Sequence, residues 1–441
     1  MTRRGAYALL AAFAVVAVLA SVAIYTGFVG GLGRGPEAGQ DSGQRAKPRN
    51  SAAPASAATW VGTWATSPAG AEPNTPDGYP GQSIRNVVHT SIGGKSVRIT
   101  LSNLYGQFPL TITHASVAVA AQPSGPDAAA GTMRRLAFDG QASVVVAPGD
   151  EVVSDAVRLA VPQDADLLVT TYTNVSGGGP VTYHPHARQI SYLAQGDRTE
   201  DLTGESYGGQ TPYWRYLTAV DVLSTDTRGA VVFLGDSLTD GITSTVGANR
   251  RWPDVLADRL IAEQGGLRYG ILNEGISGNR VLLSGSGRPS ANQSGLVRLD
   301  RDVLSRTGVR TVVVALGVND ILRTRQTDPD VIVGGLKELT ARAHAQGLHV
   351  VGATLMPFGG HRTSTPALNA VRLQVNERIR AGGIFDEVVD FDRALRDPAA
   401  PDRLLPRYDS GDHLHPSDDG YAAMANAFDL GHLEGSAPTE L

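Results

Sequence analysis

The sequence predicts two halves of different class: an all-β half over residues 59–226, sandwich- or jelly-roll-like, and an α/β half with a doubly wound parallel sheet over residues 227–436. Three observations predict this. Between about residues 60 and 225, short alternating runs such as Val97-Arg98-Ile99-Thr100-Leu101-Ser102 are punctuated by Gly, Pro, Asn and Asp, the pattern of half-buried strands joined by turns. After about Thr227, continuous apolar runs alternate with stretches of helical period, as expected of parallel strands covered on both faces. Finally, 441 residues with 41% apolar content suffice for two cores.

The chain before these halves reads as an export device. After Arg3 and Arg4 no charge occurs until Arg34, and residues 7–28 are almost wholly apolar. Residues 1–33 are therefore either a cleaved signal peptide or an N-terminal membrane anchor through residues 7–28, since about 20 apolar residues span a bilayer. Both readings put the body outside the cytoplasm, secreted or on the outer face of the cell membrane. Residues 34–58, rich in Gly, Ala, Pro and Ser, form a linker that cannot bury enough surface to order itself. Order is expected to begin near Trp60.

In the β half, strands are expected at 97–102, 116–120, 143–146, 156–161 and 167–172, with Pro148-Gly149-Asp150 as one of the turns. Trp60 and Trp64 are expected to pack the core rather than form a sugar-stacking platform. His184 and His186 have a spacing that a metal could use, but no nearby carboxylate or cysteine completes a site. They are read as structural or exposed.

In the α/β half the strands are expected at 230–234, 270–272, 311–316, 349–354 and 387–390. Trp252, Val255, Leu256 and Leu260 recur at helical spacing, as do Leu336, Leu339 and Ala343. Ligands of such a sheet bind at the carboxyl ends of its strands.

Composition narrows the chemistry. A net charge of −5 with no long basic run gives no support for a nucleic-acid partner. The absence of cysteine excludes disulfides, thiol catalysis and Cys-zinc sites.

Polar loops follow three of the apolar strands: Gly235-Asp236-Ser237, then Asn273 to Asn279, then Gly317-Val318-Asn319-Asp320. After the last strand come Asp412 and His415, three residues apart, before a helix expected to open at Ser417. Acyl transfer by serine needs a base, an acid that orients it, and donors aimed at the oxygen where charge develops. Ser237 is the candidate nucleophile, His415 the base and Asp412 its orienter. The candidate oxyanion donors are the backbone N–H of Ser237, the backbone N–H of Gly278 and the side-chain amide of Asn319. Gly235 and Asp236 form the bend that would lift the serine clear of the sheet into an exposed position. His413 is a competing base, and His361 reads as a surface-loop residue rather than part of the cleft.

These blocks resemble the SGNH, or GDSL-type, esterases and acylhydrolases. Ser237 lies in Gly-Asp-Ser-Leu, Gly278 in Ile-Ser-Gly-Asn, Asn319 in Gly-Val-Asn-Asp, and Asp412 with His415 in Asp-His-Leu-His. The resemblance covers residues 229–436 and implies a flavodoxin-like three-layer domain. Trp60-Val61-Gly62-Thr63-Trp64, residues 84–91, Leu101-Ser102-Asn103 and Asn249-Arg250-Arg251-Trp252-Pro253 are similar to a subgroup of exported bacterial members with a β-rich region before the hydrolase domain.

The expected function is a metal- and cofactor-independent serine esterase acting through an acyl-enzyme. Its substrate would be a small-molecule or polysaccharide ester, with short-acyl or O-acetyl carbohydrate esters favoured and lipids open. Two alternatives stand beside it: a polysaccharide-binding protein with a vestigial hydrolase fold, and an O-acyltransferase using the same serine. Sequence leaves the oligomeric state open.

Overall fold

In the strand Ala165–Thr173, Leu167 and Val169 face one apolar cluster while Leu168 faces another with Val87 and Ala118. That period of two is what sets both faces of a sheet to work at once. The structure, a computed structural model, describes residues 58–175, 179–263, 268–285 and 292–433. The expected export segment, and the expected linker up to its last residue, lie outside the described residues.

The strands of the β half that bear on the site are β1 (Thr59–Ala65), β2 (Gln82–Thr90), β3 (Gly94–Ser102), β4 (His114–Val119), β5 (Val157–Val161), β6 (Ala165–Thr173), β7 (Thr182–His184), β8 (Ser191–Gln195) and β9 (Leu217–Ser224). A five-stranded antiparallel sheet has the path β1-β9-β3-β5, with Glu151–Val153 also pairing with β3, and the centre of a six-stranded one runs β8-β2-β6-β4. Trp64 is buried between them, edge-on to Trp214 at 4.9 Å. Trp60 is half-buried beneath the guanidinium of Arg98.

The α/β half carries β10 (Gly229–Gly235), β11 (Tyr269–Gly275), β12 (Val309–Ala315), β13 (His349–Ala353) and β14 (Glu387–Val389), all parallel, in the order β11-β10-β12-β13-β14. Counted within this half the order is 2-1-3-4-5, that of flavodoxin-like sheets. The helices of this half that bear on the site are α1 (Ser237–Asp240), α2 (Trp252–Ala262), α3 (Gly295–Leu299), α4 (Val318–Leu322), α5 (Pro329–His344), α6 (Pro366–Arg380) and α7 (Asp418–Asn426). The chain steps one way from β10 to β11 and the other way from β12 to β14. Right-handed crossovers then place α2 on one face of the sheet and α5 and α6 on the other. α7 packs beside α2, closing the first layer. Trp252 anchors that layer, with Phe233 at 4.8 Å and Phe391 at 5.3 Å.

In the β half, Gln82–Thr90, Ser191–Gln195 and Leu217–Ser224 join the strands that were expected. Of the strands expected in the α/β half, one departs by more than two residues. β11 was expected to end at Leu272, where the chain turns polar, yet it continues to Gly275. The reason is that Glu274, fully buried, finds partners inside: Ser67 Oγ donates to it at 2.6 Å and Arg306 Nε at 2.6 Å. A buried carboxylate with such partners no longer marks a surface loop.

β11 is the edge of the parallel sheet, and β1 packs against it. A side chain on Gly270 would collide with the carbonyl of Gly62, so two glycines let the backbones meet. Ser91 Oγ accepts from Ile271 N at 2.8 Å, and Gly62 N donates to Thr307 O at 3.0 Å. The β half thus covers the edge that a lone parallel sheet would expose. One apolar cluster runs through both halves, from Val61 and Ile99 to Val232 and Val313.

Candidate active site

β10 is apolar and wholly buried up to Gly235, and the chain then has to turn into α1. Asp236 makes the turn. It is the cap of α1, and its Oδ1 accepts from Leu238 N at 3.0 Å, satisfying one free donor of the new helix. Ser237 follows as the first helical residue. It is not exposed as the bend suggested: it is only 6% accessible, and it lines a cleft of about 830 Å³. Little of the serine is left open, and that part faces the cleft.

The loop before α7 brings the other two residues to that side. His415 Nε2 lies 2.9 Å from Ser237 Oγ, and His415 Nδ1 lies 2.6 Å from Asp412 Oδ2. Asp412 Oδ1 also accepts from the backbone N–H groups of Leu414 and His415, at 3.0 and 2.8 Å. Burial pushes the Asp412 carboxyl up, but the hydrogen bonds and charge of His415 outweigh it and hold it below the usual carboxylate range. An ionised Asp412 accepts only, so the imidazole proton sits on Nδ1 and leaves Nε2 free to take a proton from the serine. Ser417 caps α7 by accepting from Gly420 N at 3.2 Å, where the helix was expected to open. His413 turns away from this pair: its Nδ1 lies 2.6 Å from Asp409 Oδ2, on a left-handed backbone.

Asn319 reaches the cleft from α4, directly after β12. Its Nδ2 donates to Asp236 Oδ2 at 3.1 Å, and its Oδ1 accepts from Arg323 Nε at 2.9 Å. A primary amide has a second N–H, so these two contacts fix the group while leaving one donor to spend. Burial lifts the Asp236 carboxyl to about 7, against the hydrogen bonds from Leu238 and Asn319.

Gly278 sits in the loop after β11 with φ of +78°, a conformation that favours glycine. A side chain there would also press on the guanidinium of Arg323, 3.1 Å away. The loop is held from three directions. Asp240 Oδ2 accepts from Ser277 N at 2.9 Å and Ser277 Oγ at 2.7 Å. Arg298, fully buried on α3, donates to Asn279 Oδ1 at 3.0 Å, Glu274 O at 2.7 Å and Gly235 O at 2.8 Å. Asp320 accepts from Val281 N and Leu282 N at 2.8 and 3.1 Å.

Residues 233–423 match the model of the GDSL-like lipase/acylhydrolase family, with Ser237 near one end of the match and His415 near the other. The chain carries a GDSL-like lipase/acylhydrolase domain. It is a serine hydrolase of the ester-cleaving kind. No curated protein matches it. Among solved structures, a GDSL-like lipase from Bacteroides thetaiotaomicron is 21% identical, over 46% of this chain and 87% of its own, at a TM-score of 0.33. A carbohydrate acetylesterase from Sinorhizobium meliloti is 19% identical, over 45% of this chain and 95% of its own, at a TM-score of 0.34.

Several side chains of this GDSL-like domain's site escaped the sequence reading. His361 lines the cleft instead of lying on an outlying loop, as do Arg323, Arg325 and Arg362. Of the two readings of His184, structural or exposed, the structural one holds: it is buried, with Nδ1 2.8 Å from Ser67 O and Nε2 3.0 Å from Asp240 Oδ1, a link to the nucleophile's helix that the sequence did not show. Asp240, three residues after Ser237, stands within the same motif and was the one signal that could have pointed to it.

Proposed function

We propose that the chain is an exported esterase that cleaves short-acyl esters of carbohydrates or other small alcohols through an acyl-enzyme on Ser237. The observation that carries the reading is the unbroken run from Asp412 through His415 to Ser237 Oγ, at 2.6 and 2.9 Å. Ser237 Oγ attacks the ester carbon as its proton passes to His415 Nε2, and the carbonyl oxygen takes up the displaced electron pair. Asp412 orients the imidazole and stabilises the imidazolium. The N–H groups of Ser237 and Gly278 and the free amide hydrogen of Asn319 receive the oxyanion. Collapse of this intermediate breaks the bond to the alkoxide, which leaves with the proton from His415. Water then repeats the sequence on the acyl-enzyme, giving the acid and restoring Ser237.

The short-acyl preference rests on the cleft wall, whose aliphatic side chains among the described residues are Leu322 and Leu414. A long acyl chain gains about 0.8 kcal/mol per buried methylene and would find too little surface here. Export rests on Arg3, Arg4 and the apolar residues 7–28.

The test is turnover of chromogenic esters of increasing acyl length, and of acetylated polysaccharide, by the wild type, Ser237→Ala and His415→Ala. The wild type alone should be active, most so on the shortest acyl groups. Equal turnover by Ser237→Ala would sink the reading. Addition of a sugar alcohol to the same assay tests the acyltransferase alternative, which predicts acylated sugar at the expense of free acid.

A further inference from the structure

The cleft carries charge of one sign. Arg323, Arg325 and Arg362 line it, while the single carboxylate among the described residues of its wall, Asp412, is engaged by His415. This runs against the chain as a whole, which bears a net charge of −5. Several arginines elsewhere in the fold are matched with carboxylates, as Arg298 is with Asp302, Arg306 with Glu274 and Arg372 with Asp392. At the cleft the partners are neutral oxygens. Arg323 Nε donates to the amide oxygen of Asn319 at 2.9 Å, and Arg325 Nη1 to the carbonyl of Thr363 at 3.0 Å. Asp409 is committed to His413, and the carboxyl of Asp236, which feels the charge of Arg323, is lifted by burial to about 7. The three positive charges are therefore available to whatever enters.

Their placement is also constrained. Arg323 is pinned between Asn319 and Gly278, beside the nucleophile, and Arg325 ties its own segment to the 359–363 loop that supplies Arg362. A guanidinium fork matches a carboxylate with two parallel hydrogen bonds, and partial desolvation in a cleft strengthens the pair. Leu322 and Leu414 leave room for a small acyl group, so the complementary negative charge belongs on the alcohol side of the ester. A cleft of about 830 Å³ holds a sugar unit with its neighbours.

We propose that the substrate is a short-acyl ester of a uronate-bearing carbohydrate, whose carboxylate is held by Arg323, Arg325 and Arg362 while its acyl carbon faces Ser237. This rests on the esterase reading above. It predicts a preference set by charge, weakened by salt because the rim arginines are solvent-exposed.

The experiment compares kcat/KM of the full-length enzyme on mono-acetylated methyl glucuronide and mono-acetylated methyl glucoside, at low salt and at high salt. The glucuronide should lead by about tenfold or more at low salt, and the lead should shrink as salt is raised. In the double variant Arg325→Gln, Arg362→Gln the ratio of the two values should fall to within about threefold of one, and Arg325→Glu, Arg362→Glu should invert it. Equal rates on the two sugars, with activity abolished in Ser237→Ala, would overturn the uronate proposal and leave the esterase standing. Faster turnover of acetylated glycerol phosphate than of the glucuronide would overturn it in favour of a phosphate-bearing alcohol. No activity above Ser237→Ala on any of these esters, nor on the chromogenic set, would remove both readings.

Discussion

His184 Nε2 lies 3.0 Å from Asp240 Oδ1, both side chains buried, and joins the β half to the short helix that begins at Ser237. The ring's other nitrogen is held by the carbonyl of Ser67 at 2.8 Å. Asp240 passes the constraint on, because its second oxygen takes both donors of Ser277, the residue before Gly278. Burial pushes the Asp240 carboxyl up, yet the charge and hydrogen bond of His184 outweigh it and hold the carboxyl below its usual value.

His184→Ala should therefore disturb turnover rather than binding. We expect kcat to fall about tenfold or more with KM within about threefold of wild type, since a donor displaced by under an ångström is lost to the transition state. His184→Gln, which can still donate to Asp240, should recover part of the rate. Steady-state kinetics well below the unfolding temperature provide the check; unchanged kcat in a destabilised His184→Ala would make the residue a purely structural support.

Asn319→Ala removes one candidate oxyanion donor and should lower kcat by about 10²–10³ with little change in KM. Asn319→Asp should be no better, because it sets a second carboxyl 3.1 Å from where Asp236 Oδ2 now accepts. A kcat within threefold of wild type in Asn319→Ala would take Asn319 out of the oxyanion site.

Asp236 links stability to pH. Burial raises its carboxyl to about 7 in the folded chain, against about 3.9 in the unfolded one. The folded state then holds the proton more tightly, so the stability this group contributes is fully present below about pH 4 and is lost as pH rises through about 7. Asp236→Asn cannot titrate. Its unfolding midpoint relative to wild type should move in the variant's favour between about pH 4 and 7 and stay level above. Urea unfolding of both proteins across that range measures it, and parallel curves would contradict the shift.

Arg298 holds the carboxyl ends of β10 and β11 together through Gly235 O and Glu274 O, and also pairs with Asp302 at 3.0 Å. Arg298→Met should cost about 3–5 kcal/mol, the range for breaking a buried pair by removing one partner. Arg298→Lys should rescue it poorly, since a single ammonium cannot serve acceptors spread across a planar fork. Denaturant unfolding gives the number; a loss below about 1 kcal/mol would show that Arg301, which also contacts Asp302, carries the network alone.

Local signals were the legible ones. Apolar runs ending in polar loops located β10 and β12 to within two residues, because a strand buried on both faces excludes polar side chains until it emerges. The rule failed at β11, where Asn273 and Glu274 are interior, for the same reason that it worked elsewhere: it assumes a polar residue needs water. Asp412 and His415 were readable as a pair because three residues of one turn bring them together without help from the rest of the fold. Ser237 was located by its motif but misjudged in exposure, since accessibility depends on the α7 loop and the cleft walls that close around it.

By itself the sequence determined the order of the halves, the parallel-sheet class and the short segments from which the site is drawn, all carried by local burial patterns and turn chemistry. Tertiary structure alone decided that His413 faces Asp409, that a histidine of the β half supports the Gly278 loop, and that three arginines meet at the cleft. His184 and Asp240 are 56 residues apart, and Arg325 reaches Thr363 across 38. Contacts between polar groups so far apart leave no periodicity in the chain, because they are made only once the sheets have packed and water has been excluded from between them.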